Sequence, residues 1–428
     1  MMDVIIKPTK TLKGEVAAPS SKSYTHRILI AALLSNGRTK IEKPLVSEDT
    51  LATLEAVKAF GADVKQNNGL WEINGQPHLK APMNPVNCRE SGATLRFMIP
   101  VAALADGNTT FFMRQSLSRR PILPLLQSLR QLGVKTQYKP PFVTVYGNSI
   151  DGGKTTLPGD VSSQFISGLL FVCPRAKRST QITLTKPIES KSYIEMTVEV
   201  LSKHSITVEF SEDFSRIHVP SGQNYQPSGH KVPGDFSSAA YLLAAAAITS
   251  SKIKIHNLDY ASKQGDKALL EILGQSGLSV SIGEGFVEVW GALHNAIDVD
   301  ARDIPDLVPA CTAIACYTTG ASIIRNVRRL RYKESDRLTA LYTEFRKMGA
   351  DIDVKGDSLI IRGPCELHGA VINPHGDHRI AMACAAAALG AEGETVIMNA
   401  ECVRKSYPKF FEDLYILGAS IIGGKLDW

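Results

Sequence analysis

The sequence predicts a mixed α/β chain of two similar lobes, each made of three copies of one unit. Three observations carry this. Leu157-Pro158-Gly159-Asp160-Val161-Ser162-Ser163 and Val232-Pro233-Gly234-Asp235-Phe236-Ser237-Ser238 are near copies. Weaker versions begin at Ala18-Pro19-Ser20-Ser21, Cys88-Arg89-Glu90-Ser91-Gly92, Asp303-Ile304-Pro305-Asp306 and Pro374-His375-Gly376-Asp377, about seventy residues apart, longer than common solenoid periods. Each start also leads into a segment that is apolar almost all round, as in Leu242-Leu243-Ala244-Ala245-Ala246-Ala247-Ile248 or Ala381-Met382-Ala383-Cys384-Ala385-Ala386, and such a helix must be buried.

The elements come in a fixed order. A polar start with Ser, Pro, Gly or Asp caps the buried helix. A strand comes next, such as Thr109-Thr110-Phe111-Phe112 or Lys252-Ile253-Lys254-Ile255. Then comes an amphipathic helix. Ile122, Leu125, Leu126, Leu129 and Leu132 fall on one helical face, as do Leu338, Leu341, Tyr342, Phe345 and Met348. Gly61, Gly133, Gly277, Gly349 and Gly418 are placed as left-handed C-caps; the third unit has His204-Ser205 instead. Two short strands complete the unit, for example Asp351 to Val354 and Ser358 to Ile361. The sixth unit stops at Trp428 without its strand pair, and Val4 to Ile6 and Gly14 to Val16 are expected to supply the missing edge. The chain is therefore expected to begin in the lobe where it ends: 20–230 as the first lobe, 1–19 with 231–428 as the second, and hinges near 20 and 230.

Buried helices with alike polar starts should run parallel and aim their N-termini at one face. Helix N-termini offer unpaired N–H groups and positive dipole ends, so they favour anions. Two such faces opposed across a hinge would suit two small multi-anionic ligands. Composition agrees. Hydrophobic residues are 44% and charged residues 21%, as in ordinary soluble proteins. The formal charge of +6 is too small and dispersed for a nucleic-acid binder. Seven cysteines without a Cys-x-x-Cys pair favour a reduced, cytoplasmic setting over a zinc or redox site. The start, Met1-Met2-Asp3-Val4, predicts no secretory signal, and the longest apolar runs are too short for a bilayer.

The polar starts gather the chemistry. Pro19-Ser20-Ser21-Lys22-Ser23-Tyr24-Thr25-His26-Arg27 puts hydroxyls and cations ahead of an apolar run. It reads either as an anion cradle or as an ordinary capped helix. Arg96, Arg120, Lys191, Arg331, Lys333, Arg337, Arg379 and Lys405 are further candidate cations. Asp306, Glu334, Asp49, Glu90, Asp235 and Asp377 are the carboxylates, and Ser162, Ser163, Gln164, Ser190 and Tyr193 add polar groups. Arg331-Tyr332-Lys333-Glu334-Ser335-Asp336-Arg337 is the densest cluster, either a solvated helix start or a general acid or base held among cations. Asp306 alone reads as a helix cap. His375 and His378 lack a third ligand at metal-site spacing, and phosphate-binding glycine loops are absent.

Over essentially its full length the chain resembles the 5-enolpyruvylshikimate-3-phosphate synthase family. The matching pieces are Pro19 to Arg27, Glu90 to Arg96, Arg120-Pro121, Ser162-Ser163-Gln164, Ser190 to Tyr193, Asp303 to Asp306, Tyr332 to Arg337, Asp377-His378-Arg379 and Lys405, all in order. The resemblance implies a two-lobed inside-out barrel with three βαβαββ units per lobe. It implies transfer of the enolpyruvyl group of phosphoenolpyruvate to the 5-hydroxyl of shikimate 3-phosphate, with release of phosphate, on the route to chorismate and the aromatic amino acids. It also implies no metal or organic cofactor, and with the two-lobed layout a monomer.

By position, Lys22, Ser23, Arg27, Ser162, Ser163, Gln164, Ser190, Asp306 and Lys333 would meet shikimate 3-phosphate. Lys22, Gly92, Arg120, Gln164, Arg337, Arg379 and Lys405 would meet phosphoenolpyruvate. Asp306 would be the base toward the 5-hydroxyl, Glu334 the acid toward the methylene, and Lys22 a third catalytic group. Glu90-Ser91 before Gly92, Phe97 after Arg96, and Arg329 depart from the family pattern and bear on the phosphoenolpyruvate pocket and on glyphosate response. The sister enzyme that uses UDP-N-acetylglucosamine carries a Gly-Gly-Cys loop before its Arg-Pro; here Arg114 to Pro121 holds no cysteine. An RNA-cyclase-like protein of related fold would need a nucleotidyl-accepting histidine, for which no motif appears.

Overall fold

The computed structural model describes residues 2–76 and 78–423. The chain divides into two compact units. One is continuous, Ser20–Val232; the other is split, Met1–Pro19 with Pro233–Trp428. Each has its own apolar core.

Six sheets share one strand grammar. A strand pairs parallel with a second, which pairs antiparallel with a third, and the third pairs antiparallel with a fourth. In the third sheet Gly153–Leu157 runs parallel to Thr180–Leu184, which faces Arg216–Val219, which faces Glu209–Phe210. The parallel strand is borrowed at two places. Gly229–Lys231 adds to Gly37–Glu42, so the end of the continuous unit completes its first sheet. Lys13–Ala17 adds to Lys252–His256 in the split unit. Val4–Ile6 pairs antiparallel with Thr395–Ile397 and Ile421–Ile422, filling the last sheet. Only that first N-terminal strand therefore supplies the edge expected for the sixth unit; the second serves the fourth. Trp428, where that unit was expected to stop, lies outside the described residues.

The helices after the polar starts are buried as their composition demands. Lys22–Leu34 is buried from Tyr24 onward, and Phe236–Ile248, Val308–Ala315 and His378–Ala388 are buried on nearly every side. Their alanines let three helices of the split unit pack side by side. The amphipathic helices Leu123–Gln131 and Arg337–Lys347 bury the predicted leucine faces. Gly61, Gly133, Gly277, Gly349 and Gly418 all have positive φ, where a side chain would be strained. At the third unit Ser205 takes that conformation, with φ 62°. Among the described residues no helix is long and apolar enough to cross a membrane.

Candidate active site

In the continuous unit the helix starts meet through their side chains. Ser21 caps Lys22–Leu34 by accepting from Tyr24 N–H. Lys22, the first residue of that helix, donates Nζ to Asp49 Oδ2 at 3.1 Å. Ser23 comes next, half-buried. Arg27, one turn on, is nearly buried between the rings of Phe97 and Tyr193. Its Nε donates to Thr197 Oγ1 at 2.8 Å, Nη1 to Ser23 O and Nη2 to Tyr193 O, each at 2.9 Å. Burial pulls its pKa down to about 10, so it stays charged at neutral pH.

A second knot lies over Gly92, the first residue of helix Gly92–Ala102. A Cβ there would stand 3.2 Å from Arg120 Nη1, 3.4 Å from Arg96 Nη1 and 3.7 Å from Gln164 Oε1. Arg96 donates Nη1 to Gln164 Oε1 at 2.8 Å and lies over Phe165. Arg120 donates to Ser116 Oγ at 3.4 Å, and Ser116 in turn donates to Glu90. Glu90, a departure from the family pattern, therefore ties the Arg120 loop to the start of the Gly92 helix. Ser162 caps helix Ser163–Val172 by accepting from Gln164 N–H, and Ser163 is buried behind it. Ser190 sits in left-handed geometry, φ 60°, at the start of Lys191–Lys203. Lys191 lies 3.6 Å from the centre of the Phe214 ring.

In the split unit the cluster is ionic and self-paired. Asp306 does not cap helix Val308–Ala315, whose N-cap Leu307 has no side-chain bond. Instead its Oδ1 accepts from Arg337 Nη1 at 3.0 Å and Lys333 Nζ at 3.2 Å, and its Oδ2 from Arg379 Nη2 at 3.0 Å. Glu334 Oε2 accepts from Arg337 Nη2 at 2.5 Å, and Asp377 Oδ2 from Arg337 Nε at 2.9 Å. Arg337 is fully buried, its guanidinium held by three carboxylates. Its three nitrogens thus join Asp306, Glu334 and Asp377 in one ionic cluster. Asp377 caps helix His378–Ala388 through Arg379 N–H, and Lys405 donates to Gly376 O at 2.7 Å. Arg331 stays outside, paired with exposed Asp336.

The electrostatics are set by burial and neighbours. Burial alone would raise the Asp306 pKa. The charges of Arg379, Lys333 and Arg337 outweigh it and hold the group well below the usual carboxylate range, so Asp306 is ionised at neutral pH. Lys333 is pushed down by burial, partly offset by Asp306. Behind them Asp266, 2% exposed, accepts from Ser237 Oγ. Burial, reinforced by the Asp306 charge, raises its pKa to about 7. Nothing in the sequence pattern pointed to Asp266, Ser116 or Thr197. Glu344 did have a signal, since it lies seven residues after Arg337 on one predicted helix face. His375 and His378 gather no metal set; among the described residues no three His, Cys, Asp or Glu groups are arranged to hold an ion.

Known proteins share this sequence and fold. The family model EPSP synthase (3-phosphoshikimate 1-carboxyvinyltransferase) matches residues 6–414. A 3-phosphoshikimate 1-carboxyvinyltransferase of Methanocella arvoryzae is 44% identical over 417 residues, covering 95% of this chain and 97% of the relative. One from Clostridium perfringens is 39% identical over 428 residues, covering 99% and 100%. A solved EPSP synthase from Acinetobacter baumannii superposes with a TM-score of 0.82 at 27% identity, covering 99% of this chain and all of that one. With a full-length family match, relatives well above 30% identity and the same fold, the chain belongs to the EPSP synthase (3-phosphoshikimate 1-carboxyvinyltransferase) family.

Proposed function

We propose that the chain transfers the enolpyruvyl group of phosphoenolpyruvate to the 5-hydroxyl of shikimate 3-phosphate and releases inorganic phosphate. The carrying observation is the ionised Asp306 carboxylate held by Arg337, Lys333 and Arg379 beside Glu334, in a chain of this family. The 5-oxygen attacks C2 of phosphoenolpyruvate while the methylene carbon gains a proton. The tetrahedral adduct then loses phosphate as that proton leaves. Asp306 takes the hydroxyl proton, Glu334 serves the methylene, and Lys22 stabilises charge on the departing phosphate.

A carboxylate gripped by three cations is a poor base. An anionic ligand that draws Arg379 and Lys333 away from Asp306 removes the stabilisation of its charge and raises its basicity. Binding would thus arm the base only when substrate is present. Lys22, Ser23, Arg27, Ser162, Ser163, Gln164, Ser190 and Lys333 are assigned to shikimate 3-phosphate. Gly92, Arg120, Arg337, Arg379 and Lys405, with Lys22 and Gln164 shared, are assigned to phosphoenolpyruvate. The chain acts as a cytoplasmic monomer without nucleic-acid partners.

The test is phosphate release from phosphoenolpyruvate with each acceptor. Release with shikimate 3-phosphate is expected; release only with UDP-N-acetylglucosamine would assign the chain to the sister activity.

A further inference from the structure

Helix Arg337–Lys347 grips one loop at two points. At its start Arg337 holds Asp377. Two helical turns on, the fully buried Glu344 carboxylate accepts three donors. Asn373 N–H reaches Oε2 at 3.1 Å, His375 Nε2 reaches Oε1 at 3.0 Å, and Lys347 Nζ reaches Oε2 at 2.7 Å. A carboxylate only accepts, so Nε2 carries the proton. A charge this deep is stable only because its donors are supplied.

The gripped loop, residues 373–377, is unusual in its backbone. His375 and Gly376 both have positive φ, 54° and 67°. A non-glycine residue in that region persists only where its surroundings hold it. Here His375 N–H also donates to Asn373 Oδ1 at 2.9 Å, and Asp377 N–H to Pro374 O at 2.8 Å. The loop in turn fixes two cations. Gly376 O receives Lys405 Nζ, and Asp377 caps the helix that carries Arg379.

We propose that Glu344 and His375 are positioning residues that lock this loop, so that Lys405 and Arg379 are held in place for the anionic groups of phosphoenolpyruvate. The assignment rests on the ligand roles proposed above.

His375→Asn is the discriminating variant. Asparagine tolerates the left-handed backbone but is too short to reach Glu344, and the imidazole is 40% exposed, so the core is undisturbed. The KM for phosphoenolpyruvate should rise about tenfold, as expected for losing a hydrogen bond to a charged group, while the KM for shikimate 3-phosphate stays within about twofold. Glu344→Gln, which keeps the side-chain volume, should shift the same constant, and adding His375→Asn to it should cost little more. Amide exchange across residues 373–377 should quicken in both variants with the rest of the chain unchanged. Unaltered exchange in that loop, or equal rises in both KM values, overturns the proposal. If the wild type releases no phosphate, the catalytic reading fails and the exchange result alone decides the clamp.

Discussion

Asp306 sits where a capping aspartate is the ordinary expectation, yet its oxygens face Arg337, Lys333 and Arg379. Asp306→Asn keeps the shape and removes the negative charge that those cations face. We expect kcat to fall about a hundredfold or more, checked by steady-state phosphate release; unchanged turnover would remove Asp306 as the base. Gly92 makes a different case, since a methyl there meets two guanidinium groups closer than comfortable contact. Gly92→Ala should push Arg120 and Arg96 aside by a few tenths of an ångström. The KM for phosphoenolpyruvate should rise by about an order of magnitude, the scale on which small displacements cost catalysis. Titration with phosphoenolpyruvate measures it, and an unchanged constant would place the ligand away from Gly92.

At the scale of elements, the helices after the polar starts work because they are small-residue rods. Ala244 to Ala246 and Ala385 to Ala387 are fully buried, and helices Phe236–Ile248, Val308–Ala315 and His378–Ala388 pack on one another. Close packing leaves no room for a larger side chain. Ala385→Leu should therefore destabilise the split unit by about 1–3 kcal/mol, read as a shift in the urea midpoint. A variant as stable as the parent would reveal slack between these helices. The same rods were the most legible feature of the sequence, because continuous apolarity with a Ser or Asp start leaves a helix no solvent face. Loop contacts were less legible. Glu90 to Ser116 and Glu344 to His375 join residues whose proximity depends on how two elements meet.

For the molecule as a whole, the two units carry opposite responses to acid. In the continuous unit His26, His204 and His230 are buried. Burial lowers their pKa values to about 3, about 4 and about 3, with the His204 neighbour a second cause at His230. His204 and His230 share a hydrogen bond, Nε2 to Nε2 at 2.9 Å. The unfolded chain takes protons below about pH 6.5 and the folded one refuses them. The stabilisation is therefore complete above that pH and erodes from there toward about pH 4 for His204 and about pH 3 for His26 and His230, by at most about 1.4 kcal/mol per pH unit for each histidine. Asp266 in the split unit works the other way. Its folded pKa of about 7 exceeds the ordinary aspartate value of 3.8, so its contribution is full below 3.8 and is lost as pH rises through 7. Going from pH 7 to pH 5 should speed amide exchange in helix Lys22–Leu34 more than in helix Phe236–Ile248, after correction for intrinsic rates. Equal changes in both would contradict this, and His204→Gln should flatten the response.

Repeat grammar, buried helices, amphipathic faces and glycine caps were all written in the sequence, because each depends on periodicity or on a residue's own backbone freedom. The family was legible too, through ordered short motifs. What the chain alone left undecided was which charges pair. Arg337 was one cation among several in the sequence and is bound in the fold by three carboxylates, and Lys13–Ala17 joined a sheet far along the chain. Pairing among charges and strands is set by distances that only the folded backbone fixes. Composition can say that cations and carboxylates gather, but only tertiary packing chooses their partners.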